Sequence, residues 1–247
     1  MDRMLYIAMN GATNTLQAQA TNANNLANAS TTGFRADLDA FKAMPVYGPT
    51  HASRVYSQDE RVGHDFRGGP MMTTGRDLDL AINGEGWFAV QAPDGQEAYT
   101  RAGDLRIGAN GQLTNGAGHP IMGDAGPIAI PPADKVDIAP DGSISIIPQG
   151  GAPNEPAVID RIRLVNPDPQ QLFKREDGLF GLPPEEIPEP DAAITVSPGV
   201  LEGSNVNTVD AMVKMIQYGR MFEMQSKMIK TAQENDATST RLLRLQG

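Results

Sequence analysis

Residues 23–35 read ANNLANASTTGFR, and they mark the point where one kind of structure gives way to another. Upstream of them, a heptad pattern of apolar residues predicts a helix that ends near Asn28. Asparagine is a poor helix former, so this helix is marginal by itself and needs partners to persist. Gly33 can adopt the left-handed conformation that redirects the chain, and we expect Gly33 and Phe34 to form the turn after the helix.

The N-terminal helix carries its apolar residues on one face. Their spacing alternates between four and three residues, which is typical of a helix that packs along another helix. The predicted seam consists of Leu5, Met9, Ala12, Leu16, Gln19, Ala23 and Leu26. We expect five of its apolar members to be assembly contacts, namely Leu5, Met9, Leu16, Ala23 and Leu26.

The C-terminal residues 205–244 read as one long helix, with Ser204 or Asn205 as its N-cap. Its apolar face is too broad for a two-stranded seam and holds five of the chain's 12 methionines. A face of this kind suits either the chain's own core or contact with several helices of other chains. The expected contacts on this helix are Val209, Met212, Ile216, Phe222 and Ile229.

The middle of the chain predicts short antiparallel strands. Asn-Gly or Asp-Gly pairs, typical of hairpin turns, occur at 83–84, 94–95, 110–111, 115–116 and 141–142. The predicted strands are Leu78–Ile82, Trp87–Gln91, Ala98–Arg101, Gln112–Thr114, Ile128–Ile130, Ser143–Ile147 and Val158–Val165. The fold class is therefore α+β, with paired, coiled-coil-like terminal helices that flank a central all-β domain.

This pattern predicts three kinds of segment. Residues 1–32 and 205–247 form a terminal helical assembly domain, and residues 76–182 form the central β domain. Residues 33–75 and 183–204 are extended connecting segments, because they mix Pro, Gly and charge without a clear period. The net charge is +1 over residues 1–36, −13 over 37–204 and +2 over 205–247.

Composition excludes several classes of protein. The chain of 247 residues has no cysteine, which removes disulfides, thiol nucleophiles and cysteine-ligated metals. Its net charge of −10 argues against a nucleic-acid partner. No apolar run reaches the roughly 18 residues of a membrane span, and the N-terminus lacks the apolar core and cleavage site of a signal peptide.

The candidate catalytic groups do not form a site. The three histidines are far apart in sequence, and the run from Asp77 to Asp79 lacks the glycine that a calcium loop needs. The acidic residues cluster in turns or in the Pro-rich segment 183–191, where they favour solubility and turn formation. We therefore expect no enzyme, no catalytic residues, no metal and no cofactor.

The three informative blocks resemble the flagellar rod and hook protein family. Residues 23–35 match the family's N-terminal signature. Residues 74–91 (TGRDLDLAINGEGWFAVQ), with Tyr99-Thr-Arg-Ala-Gly103, resemble the start of its β domain. Residues 201–232 resemble its C-terminal helix. Within the family, the N-terminal MDRMLYIAMNGA, Trp87 and the short length are most similar to a proximal-rod member, with a distal-rod member as the runner-up.

The resemblance implies a structural subunit of the bacterial flagellar basal body. Such proteins are exported without cleavage through the flagellar type III apparatus and polymerise helically in the periplasm. The expected partners are copies of this chain, other rod subunits and the export apparatus. Two other classes stay open on the residues alone: a β-rich polysaccharide-cleaving enzyme, and a secreted adhesin or needle-type filament protein.

Overall fold

The computed structural model describes residues 3–45, 55–149, 156–183 and 187–245. Over these residues the chain begins and ends with a helix, and all strands lie between the two. In chain order the elements are α1 (Arg3–Ala27), β1 (Asp37–Pro45), β2 (Val55–His64), β3 (Met71–Thr73), β4 (Leu80–Asn83), β5 (Trp87–Gln91), β6 (Glu97–Thr100), β7 (Arg106–Ile107), β8 (Leu113–Thr114), β9 (Ala133–Ile138), β10 (Ser143–Pro148), β11 (Ala157–Arg161), β12 (Leu164–Val165), β13 (Phe173–Lys174), β14 (Phe180–Gly181), β15 (Thr195–Pro198), β16 (Val200–Glu202) and α2 (Thr208–Leu245).

The chain divides into two compact units. The first, which we call the helical unit, comprises Met1–Ala29, Ala36–Asp65 and Val206–Gly247. The second, the β unit, comprises Ser30–Arg35 and Phe66–Asn205. The chain therefore enters and leaves the β unit twice.

In the helical unit, α1 and α2 pack side by side in antiparallel orientation. Near the end of α1, the Asn22 amide donates a 2.8 Å hydrogen bond to the carbonyl oxygen of Ala211 in the first turn of α2. Earlier in α1, the Thr15 hydroxyl lies 3.4 Å from the side-chain oxygen of Gln225, further along α2. Each of these polar side chains thus has a defined partner across the helix pair.

The start of α2 differs from the sequence expectation. The N-cap is Asn207, whose side-chain oxygen accepts hydrogen bonds from the backbone N–H groups of Val209 at 3.0 Å and Asp210 at 3.2 Å. The prediction of Ser204 or Asn205 was wrong by two or three residues. Asp210 lies in the first turn of the helix, where its negative charge interacts favourably with the helix dipole.

The helical unit also contains an antiparallel ribbon of β1 and β2. Its register runs from Asp37 opposite His64 to Pro45 opposite Val55, with an irregularity after Leu38. The Asn25 side chain donates to the carbonyl oxygen of Asp37 and accepts from its N–H, both at 2.9 Å. Asn25 therefore satisfies the backbone at the base of the ribbon as a neighbouring strand would. This ribbon lies within 33–75, which the sequence suggested was a connecting segment.

The β unit is built from small antiparallel sheets. A five-stranded sheet has the order β12-β5-β6-β14-β13, and a three-stranded sheet has the order β11-β10-β9. Alternate residues of β5 face two different apolar clusters: Phe88 and Val90 lie in one, and Trp87 and Ala89 in the other. Since both faces of β5 are covered, the strand reads as a continuous apolar run rather than an alternating one.

Four of the five predicted turns have glycine in the left-handed conformation, at Gly84, Gly95, Gly111 and Gly142. At the fifth, positive φ falls on Gly118 instead of Gly116. The predicted strand Ile128–Ile130 was wrong, because the segment forms an isolated antiparallel bridge, Ala129 to Gln112, rather than a regular ladder, and the N–H of Ile128 donates to the carbonyl oxygen of Ile121. Within the described ranges, neither helix combines the length and apolar character that crossing a membrane would require.

Candidate functional site

Three segments of the β unit meet at the end of β16. The backbone N–H of Gly33 donates to the carbonyl oxygen of Glu202 at 2.8 Å. The N–H of Gly69 donates to Glu202 Oε1 at 2.9 Å. Asn205 links the other two segments. Its backbone N–H donates to the carbonyl oxygen of Phe34 at 3.4 Å, and its side-chain amide donates to the carbonyl oxygen of Arg67 at 3.0 Å. We call this arrangement the Glu202 clasp; it comprises residues 33–35, 67–69 and 202–205, together with Arg101.

The carboxylate of Glu202 is the centre of the clasp. It is 1% exposed and lies between two buried guanidinium groups. Arg35 Nη2 donates to Oε1 at 2.7 Å, and Arg101 Nη1 donates to Oε2 at 3.1 Å. Burial lowers the pKa of the Arg101 guanidinium from its usual value, and attraction to Glu202 opposes that shift. Without the carboxylate, two positive charges would remain buried next to each other.

An aromatic cluster forms the wall beside these charges. The guanidinium carbons of Arg35 and Arg101 lie 5.9 Å and 5.5 Å from the ring centre of Trp87. Trp87 packs against Phe66 edge-on at 5.9 Å and against Phe180 at 4.8 Å. Two nitrogens of Arg35, Nε and Nη1, have no hydrogen-bond partner among the described residues. The negative π face of Trp87 supplies part of the missing electrostatic interaction.

Gly33 occupies a position that no side chain can fill. Its φ of +68° is the left-handed conformation expected for the turn after α1. A Cβ atom at this position would lie 2.3–2.6 Å from the backbone atoms of Arg101 and Ala102. Next to it, the Phe34 ring lies 4.2 Å from the Lys174 ammonium, and Lys174 also donates to the carbonyl of Arg35 at 3.4 Å.

In the helical unit, the side of α1 that faces α2 is made of small and polar residues, whereas the facing side of α2 combines small or polar residues with larger ones. On α1 the inward positions follow a spacing of four and three residues; they share Ala12 and Gln19 with the predicted seam and are otherwise displaced from it by one position. They are Ala8, Ala12, Thr15, Ala18, Gln19 and Asn22. On α2 the buried or half-buried positions are Ala211, Met215, Tyr218, Phe222, Gln225, Ile229 and Ala232.

The large apolar residues of the helices lie mostly on the outward sides. Of the ten predicted contacts, Met9, Leu16, Ala23, Val209, Met212 and Ile216 are exposed, while Leu5, Leu26, Phe222 and Ile229 are half-buried. The predicted seam on α1 therefore contains residues of the side that faces α2 together with residues of the outward side. The seam that faces α2 uses small residues because helix axes approach closely only where side chains are short.

Comparison with protein-family models matches three parts of the chain. Residues 5–35 match the model of flagella basal body rod proteins, and residues 81–146 match that of the flagellar hook protein FlgE/F/G D1 domain. Residues 197–242 match the C-terminal model of flagellar basal body rod FlgEFG proteins. Each matched part contributes to the Glu202 clasp: the first contains Arg35, the second Arg101 and the third Glu202.

Similarity to curated relatives extends over nearly the whole chain. The flagellar basal-body rod proteins FlgF of Salmonella typhimurium and Escherichia coli are each 43% identical over 98% of this chain and 99% of their own. FlgG of Borreliella burgdorferi is 30% identical over 94% of this chain and 95% of its own. The chain belongs to the flagellar basal-body rod protein family. It is a structural protein rather than an enzyme.

Acidic residues of the β unit stabilise turns, which suits a structural subunit. Asp94 and Asp141 each accept a hydrogen bond from the backbone N–H two residues later, at 3.0 Å and 3.1 Å, as turn-forming residues do. Among the residues that the structure describes, no three His, Asp or Glu side chains come close enough to hold a metal ion. Of the histidines, His51 lies outside the described residues.

Three buried charges of the rod subunit were not predicted from its sequence. Arg35, Arg101 and Glu202 were all within the blocks that carried the resemblance, but none was singled out. The available signal was local: each is a charged residue within a short stretch rich in small or apolar residues. Since Arg35 and Glu202 are separated by 167 positions, their pairing had no signal in the sequence spacing.

Substitution of Glu202 by glutamine should strongly destabilise the β unit. The change keeps the shape but leaves two buried guanidiniums without a negative partner, which costs about 3–5 kcal/mol. The measurement is denaturant unfolding of the full chain, followed by the fluorescence of Trp87, the chain's sole tryptophan. Asp137→Asn is the matched control, because it breaks an exposed 2.7 Å pair with Lys135 and should leave the midpoint unchanged. Equal midpoints for the two variants would contradict this assignment.

Alanine at Gly33 should be far more damaging than alanine at Gly75. Both glycines have similar positive φ, +68° and +72°, so both variants bear the left-handed strain of about 1–2 kcal/mol. Only at Gly33 does the new Cβ also collide with backbone; around Gly75 there is open space. We expect Gly75→Ala to lower the unfolding midpoint slightly and Gly33→Ala to prevent a cooperative Trp87 transition. If the unfolding midpoint fell equally in both variants, left-handed backbone strain alone would account for the effect of alanine at Gly33.

Proposed function

We propose that this chain is a subunit of the proximal part of the rod and that it polymerises helically through the outward sides of α1 and α2. The rod then serves as part of the flagellar drive shaft and surrounds the export channel. FlgF is the proximal-rod member that the sequence resembles most, and FlgG is the distal-rod runner-up. The sequence identity of 43% to two proteins named FlgF, against 30% to a FlgG, therefore favours the proximal part.

The observation that carries the proposal is the unusual distribution of side-chain size over the two helices. Ala18 is 2% exposed at the contact between the helices, whereas Ile216 is 59% and Val209 70% exposed. A helix pair that stayed alone in water would bury its largest apolar residues. Here the inward side of α1 buries small residues, and most of the large apolar residues of the two helices are left to contact other chains.

The pairing of α1 with α2 is coiled-coil-like in this proposal. The inward positions of α2 recur at spacings of four and three residues from Ala211 to Ala232, as in a heptad repeat. Polar inward residues fix the register, since the Asn22 amide has its acceptor at Ala211 and Gln19 lies beside Met215. Such register-setting polar groups are a common device in coiled coils.

The lengths of the helices leave further surface for other subunits. At about 1.5 Å per residue, the 38 residues of α2 span roughly 57 Å and the 25 residues of α1 roughly 38 Å. One α1 thus covers one side of part of α2. Each medium-sized apolar side chain that a neighbour buries contributes on the order of 1.5–3 kcal/mol, so a few contacts repeated helically produce a stiff tube.

The remaining parts of the proposal follow from rod-family membership. Residues 1–32 and 205–247 form the assembly domain and residues 76–182 form the β domain. Residues 33–75 and 183–204 connect them and also contribute the β1–β2 ribbon and the strands β3, β15 and β16. The subunit reaches the periplasm through the flagellar export apparatus without cleavage of a signal peptide. Its partners are copies of itself and other rod subunits, and nucleic acid is not among them.

Enlarging an inward alanine should separate the helices. Ala18→Leu places an isobutyl group into the contact between α1 and α2, and overpacking of this kind costs about 1–3 kcal/mol. Ala20→Leu is the matched control, because Ala20 is exposed two residues away and leucine is nearly as good a helix former. Hydrogen exchange of the α1 amides in the soluble full chain should accelerate only for Ala18→Leu. Equal exchange in both variants would contradict the pairing.

A charge on the outward side should block assembly without unfolding the chain. Ile216→Asp places a carboxylate where neighbouring chains are proposed to exclude water, at a cost of several kcal/mol to each contact, on the order of that for an unpaired buried polar group. The Trp87 unfolding transition should stay unchanged, while cells with this variant should build no complete rod and should not swim. Ile187→Asp makes the same substitution at an isoleucine that is 70% exposed in the β unit, outside the proposed contact, and those cells should swim.

Two results of that experiment would overturn the proposal. Normal swimming with Ile216→Asp would mean that this side of α2 bears little of the contact between subunits. Loss of solubility and of the unfolding transition would mean that Ile216 belongs to the core of the single chain.

A further inference from the structure

The outward side of α2 exposes four thioether groups within 17 residues. Met212, Met221, Met224 and Met228 are 55%, 43%, 58% and 39% exposed, respectively. The fifth methionine of the helix, Met215, is turned inward and lies 3.8 Å from the Gln19 amide nitrogen. Because the chain has no cysteine, no thiol competes for oxidants, and methionine sulfur is its most readily oxidised group.

We propose that Met212, Met221, Met224 and Met228 form an oxidation site at which hydrogen peroxide reversibly prevents the subunit from assembling. The inference rests on the proposed function, since it requires the outward side of α2 to contact other subunits. It concerns the chain before assembly, when these thioethers are open to solvent.

The chemical step is an oxygen-atom transfer. The O–O bond of hydrogen peroxide breaks, one oxygen bonds to the methionine sulfur, and the second leaves as water. The sulfur loses two electrons, the peroxide gains them, and no net proton is consumed. Methionine sulfoxide reductases, with electrons from a dithiol, restore the thioether.

The consequence of oxidation differs between the fold and the assembly. A sulfoxide is polar and chiral, so an outward methionine that carries it no longer gains free energy by leaving water. The helix pair should persist, because all four side chains are at least 39% exposed; Met221 also lines the groove between α2 and α1 beside Ala18. We therefore expect the oxidised chain to remain folded, while its apparent association constant falls by about tenfold for each oxidised methionine at a contact.

The β unit provides a matched control. Met71 and Met72 on β3 are 51% and 48% exposed, so they should react with peroxide about as readily as the methionines of α2. They lie outside the proposed contact. Leucine is the informative replacement at all six positions, because it keeps the apolar side chain and has no oxidisable sulfur. Glutamine imitates the polarity of the sulfoxide.

The experiment compares three full-length variants in cells that make no other copy of this subunit. The variants are the four-leucine chain (M212L/M221L/M224L/M228L), the four-glutamine chain (M212Q/M221Q/M224Q/M228Q) and the control M71L/M72L. Rods and swimming are scored with and without hydrogen peroxide, added when synthesis of the subunit is induced. Mass spectrometry of the purified, peroxide-treated chain maps the sulfoxides, and hydrogen exchange of the α2 amides tests whether the helix pair remains folded, since Trp87 reports on the β unit.

The four-leucine chain should build rods in both conditions, and the four-glutamine chain should build none in either. The unmodified chain and M71L/M72L should build rods only without peroxide. Equal losses for the unmodified and four-leucine chains under peroxide would overturn the inference, as would rods built by the four-glutamine chain. A four-leucine chain that fails without peroxide would also overturn it. If Ile216→Asp blocks assembly while the glutamines do not, the inference fails and the proposed function stands.

Discussion

A single carboxylate, that of Glu202, determines how the β unit can be closed. Arg35 follows the N-terminal helix, Arg101 lies just beyond β6, and Gly69 lies on a third stretch of chain, yet all three donate hydrogen bonds to the same two oxygens. A buried carboxylate between two guanidiniums contributes little net stability compared with apolar packing, but losing one member is costly. The carboxylate therefore selects one conformation of the β unit: the segments that carry Arg35, Gly69 and Arg101 have one arrangement in which no buried charge is left unpaired.

The helical unit obeys a different constraint, in which size rather than charge selects the contact. Ala8, Ala12 and Ala18 leave room for α2 to approach α1 closely, and Asn22 makes sense there because its amide has a fixed acceptor at Ala211. The α1 side of this contact is made of small and polar residues, and its Asn-rich segment has a low helix propensity, so α1 depends on its partners to persist. Met9, Leu16 and Ile216 remain 50–59% exposed on the pair, and they are the residues that the proposed assembly would cover.

Local features were predictable from the sequence and long-range ones were not. The strand Trp87–Gln91 and the left-handed Gly33 follow from residue types at adjacent positions, which is the information that propensity and turn chemistry contain. The predicted α1 seam contains Ala12 and Gln19 of the contact with α2 but also the outward Met9 and Leu16, because a heptad count weights large apolar residues, whereas the contact on α1 uses small ones. The β1–β2 ribbon was missed because its two strands, Asp37–Pro45 and Val55–His64, carry too much charge to show an alternating pattern.

Charge is distributed unevenly along the chain, and this distribution bears on which parts of two subunits can approach each other. The acidic middle, with a net charge of −13 over residues 37–204, repels other copies of itself, whereas the terminal segments carry only +1 and +2. Apolar area and low charge therefore coincide on the helices, and high charge coincides with the unit whose core is already filled. Because repulsion between β units weakens as salt screens it, the proposed assembly takes its specificity from the helix faces rather than from the acidic surface.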